Sequence, residues 1–195
     1  MVLLHLILRQ LNTMEFKDTT LIFKDYKIAI SDDKSVMMDW ETPIMEHTAK
    51  YICQSKGDIL EIGFGMGICA DFIQAEGVKS HTIIEIHPQV IEKLKVWAED
   101  KDNVTIVEGD WYDAKLSQTY DGMFLDTYAD MHWSSFKEFA LSNAKSGANV
   151  SYFDNGWKDN EYGFENISYD YIPVKPEEEG HICTDDVYNM PKVVI

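Results

Sequence analysis

Residues 58–69 read DILEIGFGMGIC, and they carry two signals in succession. Ile59, Leu60 and Ile62 alternate with Asp58 and Glu61, which predicts a buried strand. Gly63, Gly65 and Gly67 follow, which predicts a sharp turn into a helix. Glycine tolerates such a turn and lets a ligand approach the backbone. The amide groups that open the next helix can then meet an electron-rich ligand. An ordinary strand–helix turn would look similar at this length. The next apolar run, SHTIIEIH, separates the two readings because it carries Glu85. An acid at that offset accepts hydrogen bonds from both hydroxyls of a ribose. Together the two segments point to a nucleoside-cofactor site.

The chain has 195 residues, which fits one domain with a proper core. We expect residues 1–195 to form that single domain, with 1–45 as an N-terminal extension and lid and 46–195 as the core. Seventeen basic against thirty-four acidic residues give a net charge of −17. Such a surface repels phosphate backbones and anionic membranes, so neither nucleic acid nor membrane is an expected partner. It attracts cationic ligands. Cys53, Cys69 and Cys183 lie far apart among apolar or small residues. They suit reduced thiols in a cytoplasmic protein and have no metal-ligand spacing, so no metal is expected. The N-terminal run MVLLHLIL is too short to span a bilayer and lacks the cationic start and cleavage site of a signal peptide. A frayed helix and a translated upstream extension before Met14 both remain open for it.

Alternation over 20–30 predicts a β-hairpin. Residues 36–54 have a helical pattern, and Pro43 implies a fresh helix start near Thr42. Trp40 and Glu41 then fall on an irregular segment that can aim a side chain into a pocket. From residue 58 onward strands and helices alternate. Strands are expected at 58–63, 81–86, 104–108, 120–125 and 149–153. Helices are expected at 67–76, 88–100 and 134–144. Two last strands, 167–174 and 187–195, read as an antiparallel pair joined by PEEEG. The fold class is therefore α/β and Rossmann-like, with a mainly parallel seven-stranded sheet and an antiparallel C-terminal hairpin. In such sheets a ligand lies beyond the carboxyl ends of the strands. Gly63, Glu85, Gly109, Asp110, Asp126 and Asn155 all fall there.

The order of these groups describes a class I S-adenosylmethionine-dependent methyltransferase. A dehydrogenase would share the glycine loop and the acid after the second strand. It would not need the acid–aromatic pair Asp110–Trp111 after the third. That pair suits adenine, with Asp110 accepting from the exocyclic amine and Trp111 packing on the ring.

VMMDWETPIM (36–45), EIGFGMGI (61–68), HTIIEIHPQV (81–90), EGDW (108–111) and YDGMFLDTY (120–128) resemble the guanidinoacetate N-methyltransferase family and its relative, the fungal arginine δ-N-methyltransferase. The resemblance covers residues 36–155, with a fainter echo in the tail YNMPKVVI. It implies S-adenosyl-L-methionine as cofactor and S-adenosylhomocysteine as product. It implies a cofactor site lined by Met37, Met45, Phe64, Gly65, Met66, Gly67, Ile68, Cys69, Glu85, Ile86, His87, Gly109, Asp110 and Trp111. Glu41 and Asp126 match the two carboxylates that grip a guanidino group, and Tyr128 follows in the same motif. Guanidinoacetate enzymes carry a threonine–serine pair after the fifth strand, where this chain has FDNGW. Asn155 and Gly156 are more similar to the arginine enzyme.

A guanidinium is protonated at neutral pH and has no free lone pair. Two carboxylates can hold its planar fork, and one can accept a proton as the nitrogen attacks. Asp126, at a rigid strand end, is the expected base and itself a neighbour of the cofactor; Glu41 orients and neutralises. The functional expectation is a cytoplasmic N-methyltransferase acting on a small cationic guanidino compound. Methyl or aminopropyl transfer to another cationic amine is an alternative, as is a non-catalytic cofactor-binding subunit. A homodimer is left open. Each residue also has a plainer role: Asp126 a helix cap, Glu41 a first-turn acid, Met37 and Met45 core.

Overall fold

The computed structural model describes residues 16–154, 162–176 and 186–195. The first elements are three short strands, β1 (Ile22–Lys24), β2 (Lys27–Ser31) and β3 (Lys34–Met38), which form a small antiparallel sheet. The hairpin expected over 20–30 is β1 and β2. β3 departs from the helical pattern of residues 36–38. Met37 pairs with Ile28 and Met38 with Lys27, so sheet pairing overrides the local pattern. A 3-10 helix, Asp39–Glu41, then turns the chain into α1 (Thr42–Ile52), which begins at the expected residue with Pro43 in its first turn.

The remaining chain alternates as expected through β4 (Asp58–Ile62), α2 (Ile68–Ala75), β5 (Ser80–Glu85), α3 (Pro88–Ala98), β6 (Val104–Glu108) and β7 (Tyr120–Leu125). α4 (Phe136–Asn143), β8 (Ala144–Tyr152), β9 (Ile167–Pro173) and β10 (Val187–Val194) complete it. β8 starts earlier than the sequence suggests, because Ala144 already pairs with Tyr120 across a bulge. The seven strands follow the order β6-β5-β4-β7-β8-β10-β9. β4 pairs in parallel with β5 and β7, while β10 runs antiparallel to β8 and β9.

α1, α2 and α3 cover one face of the sheet. Ile44, Ile52 and Ile73 pack on Ile59 and Phe124, and Val90 and Leu94 on Ile83. α4 covers the other, with Phe136 and Ala140 against Leu60, Ile62 and Leu125. α1 lies directly on β7 at Gly122, where a Cβ would collide with the Ile52 carbonyl. The small N-terminal sheet docks over the mouth of the large one. Phe16, Leu21 and Ile28 share a core cluster with Phe64, Val90 and Leu94. Leu21 N–H donates to Gln89 Oε1 at 2.7 Å, which ties this sheet to α3.

The chain leaves β4 outward to β5 and β6, then returns to β7 on the opposite side. The switch point is therefore the crevice beyond the carboxyl ends of β4 and β7, where ligands bind in such sheets.

Candidate functional site

The switch point is held open by a close backbone approach. Gly63 follows β4 at φ 91°, and a Cβ there would collide with the Asp126 carbonyl. Gly65 has φ 53°, and a Cβ there would strike Met37 Sδ. Gly63 thus requires glycine for conformation and for space, and Gly65 for conformation. Met37 Sδ also accepts the Met66 N–H at 3.2 Å, so β3 is docked on the glycine loop.

Beneath and beside the loop lies a cavity of about 470 Å³. Its walls come from the glycine loop, the ends of β5, β6 and β7, and the N-terminal sheet. Among the expected site residues, Met37, Gly63, Phe64, Gly65, Cys69, Glu85, Ile86, Gly109, Asp110, Trp111, Asp126 and Tyr128 line it. Among the described lining residues Lys17 is the one lysine or arginine, against the carboxylates of Glu61, Glu85, Asp110, Asp113, Asp126 and Asp130.

Glu85 ends β5 and gathers backbone amides. Its Oε1 accepts from Ile86 N–H at 2.8 Å and His87 N–H at 2.7 Å, and its Oε2 from Phe64 N–H at 2.9 Å. Burial raises its pKa and these amides oppose the rise. Asp126 differs. It lines the cavity floor, and its carboxylate takes no hydrogen bond from the described residues. Burial, then the charges of Glu61 and Glu85, push it up to about 7. A carboxylate so placed is a ready acceptor for a cation or a proton.

Trp111 packs edge-on against Phe139, with ring centroids 5.0 Å apart, and donates Nε1–H to Asp130 Oδ2 at 2.8 Å. Its ring is thus fixed in the cavity wall. Asp110 caps the short helix Trp111–Asp113 by accepting Tyr112 N–H at 2.9 Å.

Other expectations land elsewhere. Glu41 is not on the cavity wall. Its Oε1 accepts the Met38 N–H at 2.8 Å, which turns the side chain back on its own segment. Burial and then the Asp126 charge push it up to about 8, so it stays within that acid's field. Met45 is fully buried in the core and does not reach the cavity, since α1 turns it towards α2. Gly67, Ile68 and Met66 carry the loop into α2 without lining the cavity; a Cβ on Gly67 would meet the Phe64 ring. His87 is buried behind Glu85, with Nε2 at 3.2 Å from the Thr19 carbonyl, and only its amide serves the site. Asn155 and Gly156 lie outside the described residues, as does Cys183. Cys53 and Cys69 are buried free thiols.

Several lining residues escaped the sequence reading. Asp130 accepts from Trp111, from Thr127 Oγ1 at 2.9 Å and from His132 N–H at 2.7 Å. Its Asx-type turn to residue 132 was the available signal. Glu61 lies on the wall, and its signal was a charge inside an apolar strand. Phe16 had no signal; its ring sits 5.0 Å from both His87 and Tyr128. Among the described residues no group of acids, histidines and cysteines is arranged to hold a metal ion, and no helix is long and apolar enough to cross a membrane.

A sequence model of the guanidinoacetate N-methyltransferase family matches residues 15–158. "Protein arginine N-methyltransferase 2" of Saccharomyces cerevisiae is 42% identical over 130 residues, covering 60% of this chain and 30% of that one. The protein of the same name from Aspergillus fumigatus is 36% identical over 132 residues, covering 64% and 31%. The chain thus spans about a third of the length of these curated relatives. Among solved structures, a spermidine synthase from Thermotoga maritima superposes with a TM-score of 0.61 at 13% identity, covering 90% of this chain and 72% of that one. An O-methyltransferase from Bacillus cereus, in complex with S-adenosylhomocysteine, gives 0.57 at 14% identity, covering 78% and 81%. These structural likenesses establish a shared Rossmann-like fold.

Proposed function

The chain belongs to the guanidinoacetate N-methyltransferase family, and from that premise we propose that it is an S-adenosylmethionine-dependent N-methyltransferase acting on a guanidino group. The observation that carries this reading is Asp126. It is a carboxylate without a hydrogen-bond partner among the described residues, on the cavity floor at the switch point of the sheet.

The residues present fit the cofactor. The positive φ of Gly63 and Gly65 gives the tight turn on the cavity wall that a nucleoside cofactor needs. Glu85 is held at the strand end where a ribose acceptor is needed, and Trp111 and Asp110 form a wall suited to adenine. Glu61 offers a further carboxylate to the cationic amino-acid end. When bound, S-adenosylmethionine supplies an electrophilic methyl group on its sulfonium.

The chain's own residues must hold a guanidinium and remove one proton. Asp126 accepts charge-assisted hydrogen bonds from the guanidinium N–H groups and takes the proton of the attacking nitrogen. Its raised proton affinity suits that task near neutral pH. Glu41 stands off the cavity wall in the ligand-free chain but within the field of Asp126, so it orients the substrate cation once its oxygen not bound to Met38 turns towards it. A planar cation between the two acids relieves their mutual repulsion. Tyr128 and Phe16 form the adjoining wall.

The names of the curated relatives support an arginine-like methyl acceptor. The test is transfer of a labelled methyl group from S-adenosylmethionine to guanidinoacetate, arginine, agmatine, an arginine-bearing peptide and polyamines. Turnover with a guanidino acceptor and none with polyamines is expected. Tight cofactor binding with no turnover on any acceptor would instead favour a non-catalytic binding subunit.

A further inference from the structure

A second set of buried polar groups runs behind the cavity. Glu61 stands in the middle of β4 and is 1% exposed, yet it lines the cavity. His81, on the neighbouring strand β5, is 0% exposed and places Nε2 at 2.9 Å from Glu61 Oε2. The other ring nitrogen, Nδ1, lies 3.1 Å from Nε2 of Gln74 near the end of α2. An amide nitrogen only donates, so Nδ1 is the acceptor. The imidazole proton is then on Nε2, and that N–H donates to Glu61. The string runs Gln74 to His81 to Glu61, each donating to the next. Trp97 of α3 closes the remaining side of the ring, edge-on at 6.2 Å.

Packing alone does not require this arrangement. A buried carboxylate–imidazole pair is desolvated at a cost that an apolar pair of the same shape avoids. What the pair supplies is direction. β4 pairs Glu61 with Ile83, two residues along from His81, so His81, Glu61 and Glu85 project from one sheet face. β7 pairs Phe124 with Glu61, which puts Asp126 on the same face. His81 thus holds Glu61 from the side away from the strand ends and leaves its carboxylate turned towards the cavity.

We infer that His81 is a positioning residue: with Gln74 behind it, its Nε2–H fixes Glu61 as an oriented carboxylate on the cavity wall, where it receives the cationic amino-acid end of S-adenosylmethionine. This rests on the cofactor reading above and adds two residues that do not touch the cofactor. Burial raises the pKa of Glu61 and the His81 hydrogen bond opposes the rise, so this contact favours the ionised carboxylate that a cationic ligand group needs. Cys69, opening α2, faces the same carboxylate.

The test is calorimetric titration of S-adenosylhomocysteine, which carries the same ammonium group, into the wild type, His81→Leu, His81→Gln and Gln74→Leu. His81→Leu is expected to weaken binding about tenfold or more, the scale of one hydrogen bond to a charged group. His81→Gln keeps an N–H donor and is expected to restore most of the affinity. Nitrogen-15 NMR of the histidine rings in the wild type should show His81 donating from Nε2 and accepting at Nδ1. If His81→Leu fails to fold, Gln74→Leu and the NMR signature carry the test. Unchanged affinity in a folded His81→Leu overturns the inference, as does a proton on Nδ1. A wild type that binds no S-adenosylhomocysteine overturns the cofactor reading and this role with it.

Discussion

Phe64 donates its backbone N–H to Glu85 Oε2 at 2.9 Å, so the acid that ends β5 is bonded to the glycine loop that follows β4. The same carboxylate holds the amides of Ile86 and His87. Glu85 therefore shapes the cradle as well as offering acceptors to a ligand. Glu85→Ala should lower S-adenosylhomocysteine affinity by about tenfold or more, since hydrogen bonds to a charged group contribute ~1.5–3 kcal/mol each. It should also lower the thermal midpoint by a few degrees through the freed loop amides. Calorimetry with unaltered affinity would remove Glu85 from the cofactor site.

Gly63 and Gly77 both have positive φ, at 91° and 70°, but only Gly63 faces another backbone. Gly77→Ala meets nothing within 4 Å and should cost about 1–2 kcal/mol of backbone strain. Gly63→Ala adds a clash with the Asp126 carbonyl, so it should cost more and should also displace Asp126. Urea unfolding of the two variants compares them directly. Equal midpoints would mean that the end of β7 yields freely.

Asp126→Asn keeps the shape of the side chain but cannot take a proton, and its amide points donors at a substrate that has only donors there. Turnover should fall by about 10²–10⁴, the range for a lost general base. Glu41→Gln should raise KM and lower kcat to a smaller extent. The two losses should be strongly non-additive if the acids share one substrate cation. A double variant whose loss in kcat/KM equals the product of the single losses would separate their roles. A near-normal kcat in Asp126→Asn would assign the base elsewhere.

Asp126 and Glu41 bind protons more tightly in the folded chain, at about 7 and about 8, than ordinary aspartate and glutamate at 3.8 and 4.5. Raised carboxylates of this kind lend stability that is full below about pH 4 and is lost as pH climbs through 7 and 8. The ligand-free protein should therefore lose thermal stability from these two groups between about pH 4 and pH 8. Asp126→Asn should show a shallower decline, because asparagine has no proton to lose. Scanning calorimetry of both proteins across that window reads the difference. Turnover should move the opposite way, since Asp126 must be ionised to act, and kcat/KM should rise through about pH 7. Parallel stability curves for wild type and variant would contradict the buried-acid account of Asp126.

Much of the fold could be read from residue order. The apolar run at 59–62 followed by three glycines marks a strand and a turn whatever surrounds it, and β4, the loop and α2 fall there. Alternating strand and helix patterns imply parallel pairing and place Glu85 and Asp126 at strand carboxyl ends, beside one cavity. Residues 36–38 are the exception, where pairing with β2 captures a helical pattern into a strand.

Local sequence, then, determined backbone conformation and which residues end strands, because these depend on periodicity and on the steric freedom of glycine. Side-chain neighbours depend on register between segments far apart in the chain, and only the tertiary structure decided them. Met45 is core because α1 packs it against α2, and Glu41 turns to Met38 because a 3-10 turn offers it an amide. Asp130 fixes Trp111 across a loop, and Glu61 meets His81 across two strands. No spacing along the chain announces such contacts, since the burial that makes them matter exists only after the sheet has formed.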